Sequence, residues 1–350
     1  MKTIVAILFN LFVGTVFAFA TGSGAFAAMG VGAVLSLAPS VKGVLQVTAG
    51  IQVHIWENDI IEGLWANNQF LNFAINADQY VLQGKVVHIP QAGTAPGVKV
   101  NRTDLPATVT QRTDTDVTYA IDEITSDPVL IPNADTIELS YDKRTSVTSE
   151  MRAAIYEAAA LNMIYRWSPA ASSRIIPTTG ERLVPAHLNA ATGNRRVITL
   201  ADIKTAQRKF DAENVPTTGR YILLDAEMYH QITNEMCANE QRDFLAAYDE
   251  KNGVLGRIFG FSVLMRSEVM RYTGNGSPKN WATAGAPTDN AAALVWQRNS
   301  VERALGGARF FENLGDPTFY GDIYSSLLRI GGRIRRKDGK GVLAIVQAAA

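Results

Sequence analysis

The side chains best suited to proton transfer or metal binding are the four histidines, which stand far apart at positions 54, 88, 187 and 230. No two of them have the spacing that places two metal ligands on one face of a helix. His54 and Glu57 lie close along the chain, but a pair without a second histidine or a cysteine favours a local hydrogen bond over a zinc site. The sequence therefore predicts no metal ligand and no histidine that takes part in a reaction.

Acidic residues and the cysteine give equally little support for a reactive site. Glu57, Asp59 and Glu62 lie in a tryptophan-rich segment whose one local proton-sharing partner is His54, with no lysine or arginine close along the chain. We interpret this segment as an aromatic anchor that packs on the core or on a neighbouring molecule. Cys237 is the single cysteine, which excludes an intramolecular disulfide and a thiolate metal cluster. We expect a core or partly exposed thiol.

Signatures of nucleophilic and phosphate chemistry are also missing from the sequence. It contains no Gly-x-Ser-x-Gly elbow and no Walker-type Gly-Lys-Ser/Thr. Gly253, Gly256 and Gly260 loosely resemble a phosphate loop, but the strand-turn-helix order is missing, and a structural turn is the better interpretation. Asn101 and Asn275 match the glycosylation pattern, which arises often by chance in such loops. We therefore predict a protein that is not an enzyme, with no catalytic residue, no cofactor-binding residue and no cofactor.

Length and charge set further bounds. The 33 basic and 33 acidic side chains cancel, so there is no bulk electrostatic attraction to nucleic acid or to an anionic membrane. A chain of 350 residues can form one large domain or two smaller ones, with a sizeable core. The densest basic stretch is best interpreted as a solvated turn, with a local basic patch as the alternative; it consists of Arg333, Arg335, Arg336, Lys337 and Lys340.

Residues 1–50 are a hydrophobic N-terminal segment that allows three interpretations. Lys2 precedes an apolar run from Ile4 to Ala20, followed by small-x-small sites typical of signal-peptide cleavage. The apolar sequence up to Leu37 is also long enough to span a bilayer, although Gly22-Ser23-Gly24 interrupts it. A third interpretation is a hydrophobic arm that becomes buried in an assembly.

The longest predicted element is an alanine-rich helix from Thr145 to Trp167, with Thr145 or Ser146 as its N-cap and Pro169 ending it. Its small Ala158-Ala159-Ala160 segment would allow another element to approach closely. The predicted apolar stripe consists of Val147, Met151, Ala154, Ile155, Ala158, Leu161 and Tyr165.

Before this helix the sequence predicts a hairpin arm. An amphipathic region at 52–73 gives way to strand-like sequence at 86–90, a turn at 91–97, and further strand-like sequence at 98–100 and 107–124. Residues 102–118 are rich in threonine and charge and poor in bulky apolar side chains. An arm that buries so little in its own subunit needs a partner, and this points to assembly.

After the helix the pattern alternates between strands, helices and loops. Thr199 and Asp202 form a capping-box pattern. We predict loops at 168–196 and 273–290, helices after 199 and from 226, strands at 220–224, 291–296, 327–334 and 342–346, a glycine-punctuated strand within 253–264, and a hairpin turn at 337–341.

This order of parts resembles the major capsid protein of tailed bacteriophages, with the HK97-like fold, and is most similar to the capsid proteins of phages of Bacteroides-type hosts. The resemblance runs from about Ile51 to Val346. It is carried by the hairpin arm, the segment 137–144 that leads into the long helix, the segments 211–224 and 256–263, and the closing segment 332–346.

The resemblance implies an α+β fold with a long spine helix, an extended β-hairpin arm and a central axial domain. Residues 51–77 would be the N-arm, and 78–132 the E-loop that reaches over a neighbouring subunit. Residues 133–168 and 301–350 would form the peripheral domain with the spine helix, and 169–300 the axial domain.

The resemblance also implies a function. Proteins of this family self-assemble into pentamers and hexamers that form an icosahedral head shell around phage double-stranded DNA. The implied partners are other copies of the chain, scaffold, portal and decoration proteins, and the genome, contacted non-specifically; no small-molecule substrate is implied. Some members cross-link an E-loop lysine to a neighbour's asparagine, but no motif places a partner for Lys85 or Lys99, and we expect no cross-link.

The implied location is the virion, after assembly in the host cytoplasm. The signal-like N-terminus departs from the family pattern and leaves export open. Two rival classes therefore remain. One is an exported surface or fimbria-like structural protein, and the other is an encapsulin-like compartment, which shares the fold and holds an enzyme cargo.

Overall fold

The computed structural model describes residues 57–350, except 58, 66, 82–85, 92–96, 99, 104–105, 107–108, 110 and 133–142. The predictions for residues 1–50, for His54, and for Lys85 and Lys99 lie outside the described residues. Residues 57–350 form one structural unit.

The secondary structure mixes helices and strands along the whole of this unit. The helices are α1 (Lys143–Trp167), α2 (Leu200–Ala212), α3 (Ala226–Glu235) and α4 (Ala238–Leu245), and residues 59–65 are also helical. The strands are β1 (Ile75–Asn76), β2 (Val86–Gln91), β3 (Thr115–Ala120), β4 (Asp122–Thr125), β5 (Val129–Pro132), β6 (Ile175–Pro177), β7 (Leu183–Pro185), β8 (Asn194–Arg196), β9 (Arg220–Asp225), β10 (Gly256–Ile258), β11 (Phe261–Arg266), β12 (Met270–Tyr272), β13 (Pro278–Lys279), β14 (Asn290–Gln297), β15 (Val301–Asp316), β16 (Gly321–Ile334) and β17 (Val342–Val346).

Helix α1 matches the predicted spine helix but differs from it in start and orientation. It begins at Lys143, before the predicted N-cap, and ends at Trp167 as predicted. The predicted stripe is wrong in detail, since Ala154 is exposed and Leu161 is only partly buried. The buried face instead consists of Met151, Ile155, Tyr156, Ala159, Ala160, Met163, Ile164 and Trp167.

Trp167 explains why this face of α1 is the buried one. Its indole N–H donates to the Glu302 carbonyl at 3.0 Å, and its ring packs edge-on to Phe70 and at an angle to Trp296. The largest side chain fixes the rotation of the helix, and the small Ala159 and Ala160, both fully buried, allow the close approach that the sequence predicted.

The five-stranded sheet is organised around the long hairpin of β15 and β16. Strand β16 pairs with β15 on one side and with β4 and β5 on the other, and the short β1 runs parallel to β15. The sequence predicted β16 only from 327 onward and did not predict β15. A bulge between Leu305 and Gly307 breaks the alternation of β15, and Gly307 has a φ of 98° there, which favours glycine.

The eight-stranded sheet separates two hydrophobic cores. Its strand order is β10-β11-β9-β14-β12-β13, with β17 on the free side of β14 and β6 beyond β17. Alternate residues of β14 face opposite ways: Leu294 and Trp296 join the core that contains α1, whereas Ala293 and Val295 join the core that contains α2 and α3. Burial on both faces explains why β14 reads as a continuous apolar run.

Several predictions for the second half of the chain are confirmed. The capping box of Thr199 and Asp202 starts α2, and Asp225 caps α3 by accepting from the Met228 amide at 2.6 Å. Strands β9 and β14 contain the predicted segments 220–224 and 291–296. The glycine-punctuated segment forms the antiparallel pair β10–β11, with Gly260 at a φ of 82° in the turn between them.

Other predictions are wrong. The turn at 337–341 is not a hairpin turn, because β17 pairs with β14 and β6 and not with β16. The predicted loop at 168–196 contains β6, β7 and β8, and the loop at 273–290 contains β13. In the arm, Val98 and Val100 lie outside any strand, and the second strand begins at Thr115, whose partner Gln91 is the last residue of β2; the described residues 111–114 are not in a strand.

Candidate assembly surfaces

The hairpin arm is built from β2 and β3, which pair antiparallel from Val86–Ala120 to Gln91–Thr115. At its base Val87, Ile89 and Tyr119 are buried in a small cluster with residues next to β1 and in β15. Further out, three valines are almost completely exposed: Val98 at 90%, Val100 at 87% and Val109 at 95%. Three exposed β-branched side chains in the segment between β2 and β3 are a surface suited to packing against another molecule.

Polar contacts fasten the base of the arm to the long hairpin. Arg333 donates to the Thr118 carbonyl at 2.7 Å, and the Tyr119 hydroxyl donates to Glu302 at 3.4 Å. Glu302 is itself buried and lies 2.9 Å from Arg335. Burial raises the pKa of Glu302 and outweighs the positive charge of Arg335, which lowers it. Burial and the neighbouring Glu302 carboxylate both raise the pKa of Tyr119. The base of the arm is therefore fixed to the long hairpin, whereas Val98, Val100 and Val109 further out are exposed.

A second uncovered apolar surface lies at the far end of the β15–β16 hairpin. Phe311, Leu314, Phe319 and Tyr320 are all exposed, and the turn holds Tyr320 at a φ of 51°. The Asp316 carboxylate accepts the Thr318 amide at 2.7 Å, and hydrogen bonds of this kind lower its pKa. A short turn that orders large aromatic side chains at a tip is a further contact candidate.

The described histidines are not brought together. His88 lies on the arm, 2.5 Å from Asp116, and both are largely exposed. His187 lies 2.8 Å from the buried Asp225. Burial lowers the pKa of His187, but the hydrogen bond and charge of Asp225 outweigh it, so that the net shift is upward. His230 is on the exposed side of α3. The prediction that no histidine does chemistry stays a prediction.

A cavity of about 930 Å³ lies between the helical residues 59–65, α1 and β11. It contains part of the predicted acidic group, and the fold supplies the basic partner that was missing along the sequence: Arg152 lies 3.6 Å from Asp59. Arg266 lies 2.5 Å from Glu157 at the same cavity. These four side chains therefore form two ion pairs at the cavity.

The remaining candidates from the sequence lie at separate places in the fold. Gly253 ends a short turn at a φ of 66°, and a side chain at Gly256 would collide with Phe244. Cys237 is exposed at the start of α4. Asn101 and Asn275 are exposed.

Within the basic stretch, Arg336 pairs with Asp338 at 2.7 Å, as a solvated turn would. The hydrogen bond from Arg336 is the main cause that lowers the pKa of Asp338 to about 2, and it outweighs burial, which raises that pKa.

Neither a metal-binding cluster nor a membrane-spanning helix occurs among the described residues. No group of three or more His, Cys, Asp or Glu side chains in that part of the chain could hold a metal ion. No helix there is both long and apolar enough to cross a membrane.

The fold matches solved structures of phage capsids. The capsid of Ralstonia phage GP4 is 15% identical, with a TM-score of 0.59 over 79% of this chain and 87% of that chain. The cyanophage Pam1 capsid is 14% identical, with a TM-score of 0.55 over 81% and 92%, and the capsid of cyanophage P-SCSP1u is 18% identical, with a TM-score of 0.53 over 78% and 86%. No protein-family model matches the chain. No curated protein matches it either.

At these identities the likeness establishes the fold. The chain has the HK97-like fold of phage capsid proteins, with mixed helices and sheets, and the predicted fold class is confirmed. The long spine helix and the β-hairpin arm are both present. The predicted domain boundaries stay predictions, although β4 and β5, placed in the E-loop by the sequence, pair with β16 of the predicted peripheral domain.

Proposed function

We propose that this chain is a major capsid protein, which self-assembles into pentamers and hexamers forming an icosahedral head shell around phage double-stranded DNA. The observation that carries the proposal is the HK97-like fold, shared with capsids over about four fifths of the chain, together with an arm whose three described valines Val98, Val100 and Val109 are almost completely exposed. The fold supplies the shape of a shell subunit, and the uncovered arm supplies a reason to associate.

In this proposal the parts divide as the sequence suggested. Residues 51–77 are the N-arm, and 78–132 reach over a neighbouring copy as the E-loop. Residues 133–168 and 301–350, which contain α1 and the β15–β16 hairpin, form the peripheral domain, and 169–300 form the axial domain. Scaffold, portal and decoration proteins are the proposed further partners. The genome is contacted non-specifically, which suits the absence of net charge. The proposed location is the virion, after assembly in the host cytoplasm.

We also infer that the protein is not an enzyme. The structures that it resembles are those of capsids, and the charged side chains of Arg152, Asp59, Arg266 and Glu157 at the cavity of about 930 Å³ form ion pairs. An exported fimbria-like protein and an encapsulin-like compartment are the competing classes, and the experiment below separates them.

The test is sedimentation and negative-stain microscopy of the purified full chain. We expect rings of five or six copies or closed shells. A variant carrying Val98→Thr, Val100→Thr and Val109→Thr keeps the size of the side chains but removes apolar surface, so it should require a higher protein concentration to assemble. Its unassembled subunit should melt at the wild-type temperature, because these side chains are exposed.

Each competing outcome has its own signature. A chain that stays monomeric at every concentration and salt contradicts the proposal. Regular filaments would favour the fimbria-like alternative, and shells that contain a co-purifying enzyme and no DNA would favour the encapsulin-like one.

A further inference from the structure

A cavity of about 500 Å³ lies between β6, the 273–290 loop and the segment after β17. Its buried lining includes Arg195, Asn290 and Gln347, whereas Thr192 and Thr288 line it where it opens to solvent. The volume is within the range of small-molecule sites. None of its lining residues is acidic, and Arg195 alone among them is charged.

Arg195 is a buried cation whose hydrogen bonds all go to uncharged oxygens. It is only 5% exposed. Its Nε donates to the Asn290 side chain at 2.6 Å, and its two terminal nitrogens donate to the main-chain carbonyls of Thr192, Asn194, Pro287 and Asp289 at 3.0 to 3.2 Å. No carboxylate within the described residues forms an ion pair with it. Buried charges are normally paired with an opposite charge, so this one is unusual.

The surrounding ion pairs do not supply the missing negative charge. Asp289 is buried, but its carboxylate lies 2.6 Å from Lys279, whose side chain is also buried. Arg271 lies 2.5 Å from Glu268, so that pair is neutral as well. With both pairs cancelled, the charge of Arg195 is left over.

Gln347 adds an unpaired donor at the same cavity. The residue is 2% exposed, and its main-chain N–H donates to the Ala291 carbonyl at 2.9 Å. Its side-chain Nε2 is buried and makes no hydrogen bond to any described residue. A buried donor without an acceptor is costly and therefore rare. An acceptor that enters the cavity would remove that cost.

We propose that this cavity binds a carboxylate group, which accepts a hydrogen bond from Gln347 and balances the charge of Arg195. The apolar side chains of Ile175, Pro177 and Val346 along the walls suit a carboxylate carried on a short aliphatic stem. Two sources have this chemistry: a free small carboxylic acid, and an aspartate or glutamate side chain of a second copy of this chain. The site is formed within one subunit, so the proposal does not depend on shell formation.

The first experiment uses dissociated full-chain subunits and glutarate as the probe. Thermal melting is followed in increasing glutarate and in sodium chloride of equal ionic strength, for wild type, Gln347→Leu and the matched control Gln207→Leu, which changes a partly exposed glutamine on α2. We expect glutarate to raise the melting temperature of wild type and Gln207→Leu by at least about 2 °C when saturating. Gln347→Leu should show no rise beyond that in chloride.

Equal rises in all three proteins would mean a general anion effect and would overturn the proposal, as would no rise in wild type. Equilibrium dialysis of radiolabelled glutarate against wild type alone is independent of how Gln347→Leu folds. It should find one glutarate per chain, and the absence of saturable binding there would also overturn the proposal.

A second arm separates the two sources. If the natural occupant is an acidic side chain of another copy, glutarate should slow assembly of wild type, measured by light scattering, and leave assembly of Gln347→Leu unaffected. If the occupant is a free carboxylate, glutarate should bind without slowing assembly. Failure of the chain to assemble at all would count against the proposed function and leave the dialysis result standing.

Discussion

Apolar side chains differ in solvent exposure between the hairpin arm and helix α1. Val98, Val100 and Val109 project from the arm into solvent, whereas Met163 and Trp167 are completely buried. The arm pairs its own main chain along β2 and β3, and the contacts of Thr118 and Tyr119 hold its base to the long hairpin. Helix α1 packs its buried face against neighbouring elements in one hydrophobic core, and the eight-stranded sheet contributes side chains to both cores. This difference separates the residues that make the subunit fold from those that we propose make subunits associate.

Removing the outer arm should have the largest effect on assembly and almost none on folding. Because Gln91 and Thr115 are already paired, replacing residues 92–114 with Asn-Gly closes the hairpin with a two-residue turn and leaves no strand group unpaired. We expect a soluble subunit with a near-native far-UV circular dichroism spectrum and no closed shells by electron microscopy.

This deletion can contradict the comparison in two ways. If the subunit unfolds, the outer arm contributes to the core after all. If normal shells still form, the arm is not an intersubunit contact.

Truncation within α1 should have the reverse effect. Met163 is fully buried, so Met163→Ala should lower the free energy of unfolding by about 2–5 kcal/mol. Leu161 is the matched control, because it is a neighbour of similar size that is only partly buried, and Leu161→Ala should cost about 1 kcal/mol. Chemical denaturation of the unassembled subunits measures both values. An equal loss for the two variants would mean that the buried face of α1 is assigned incorrectly.

These two regions also differ in how much of them the sequence predicted. The hairpin arm, α1 and the buried strands β9 and β14 were found because each has a local signal: alternation, helical spacing or an unbroken apolar run. The sequence did not predict which face of α1 is buried. Helical spacing gives Ala154 and Leu161 the same weight as every other apolar residue, whereas the contacts of Trp167 determine how the helix is rotated. Strand β15 was missed because its Gly306-Gly307 bulge interrupts the period of two.

The charged clusters could not be predicted for a different reason. The contact between Arg195 and Asn290 joins residues 95 positions apart, and that between His187 and Asp225 joins residues 38 positions apart. Neither pair shares a helix or a hairpin, so no local pattern marks it. Assigning β17 to a hairpin failed likewise, because its partners β14 and β6 are distant in sequence.

The smallest expected effect comes from comparing the two histidine–aspartate pairs, one in each region. His88 and Asp116 on the arm are 64% and 47% exposed in their side chains, whereas His187 and Asp225 are 24% and 2% exposed. Exposed ion pairs contribute little because solvent screens them. A buried partner makes the second pair stronger, and Asp225 also caps α3.

We therefore expect His187→Gln to change how subunit stability depends on pH, and His88→Gln is the matched control for loss of an exposed pair. The folded-state pKa of His187 is raised, so its contribution is fully present below the unfolded pKa of about 6.5 and is lost as the pH rises through the folded pKa. Below pH 6.5, His187→Gln should cost on the order of 1 kcal/mol, and less at higher pH. Urea denaturation of the three proteins from pH 5.5 to 8.5 measures this. Parallel curves for wild type and His187→Gln would show that the charged form of His187 gains nothing from Asp225, and a loss for His88→Gln as large as that for His187→Gln would mean that burial does not set the strength of these pairs.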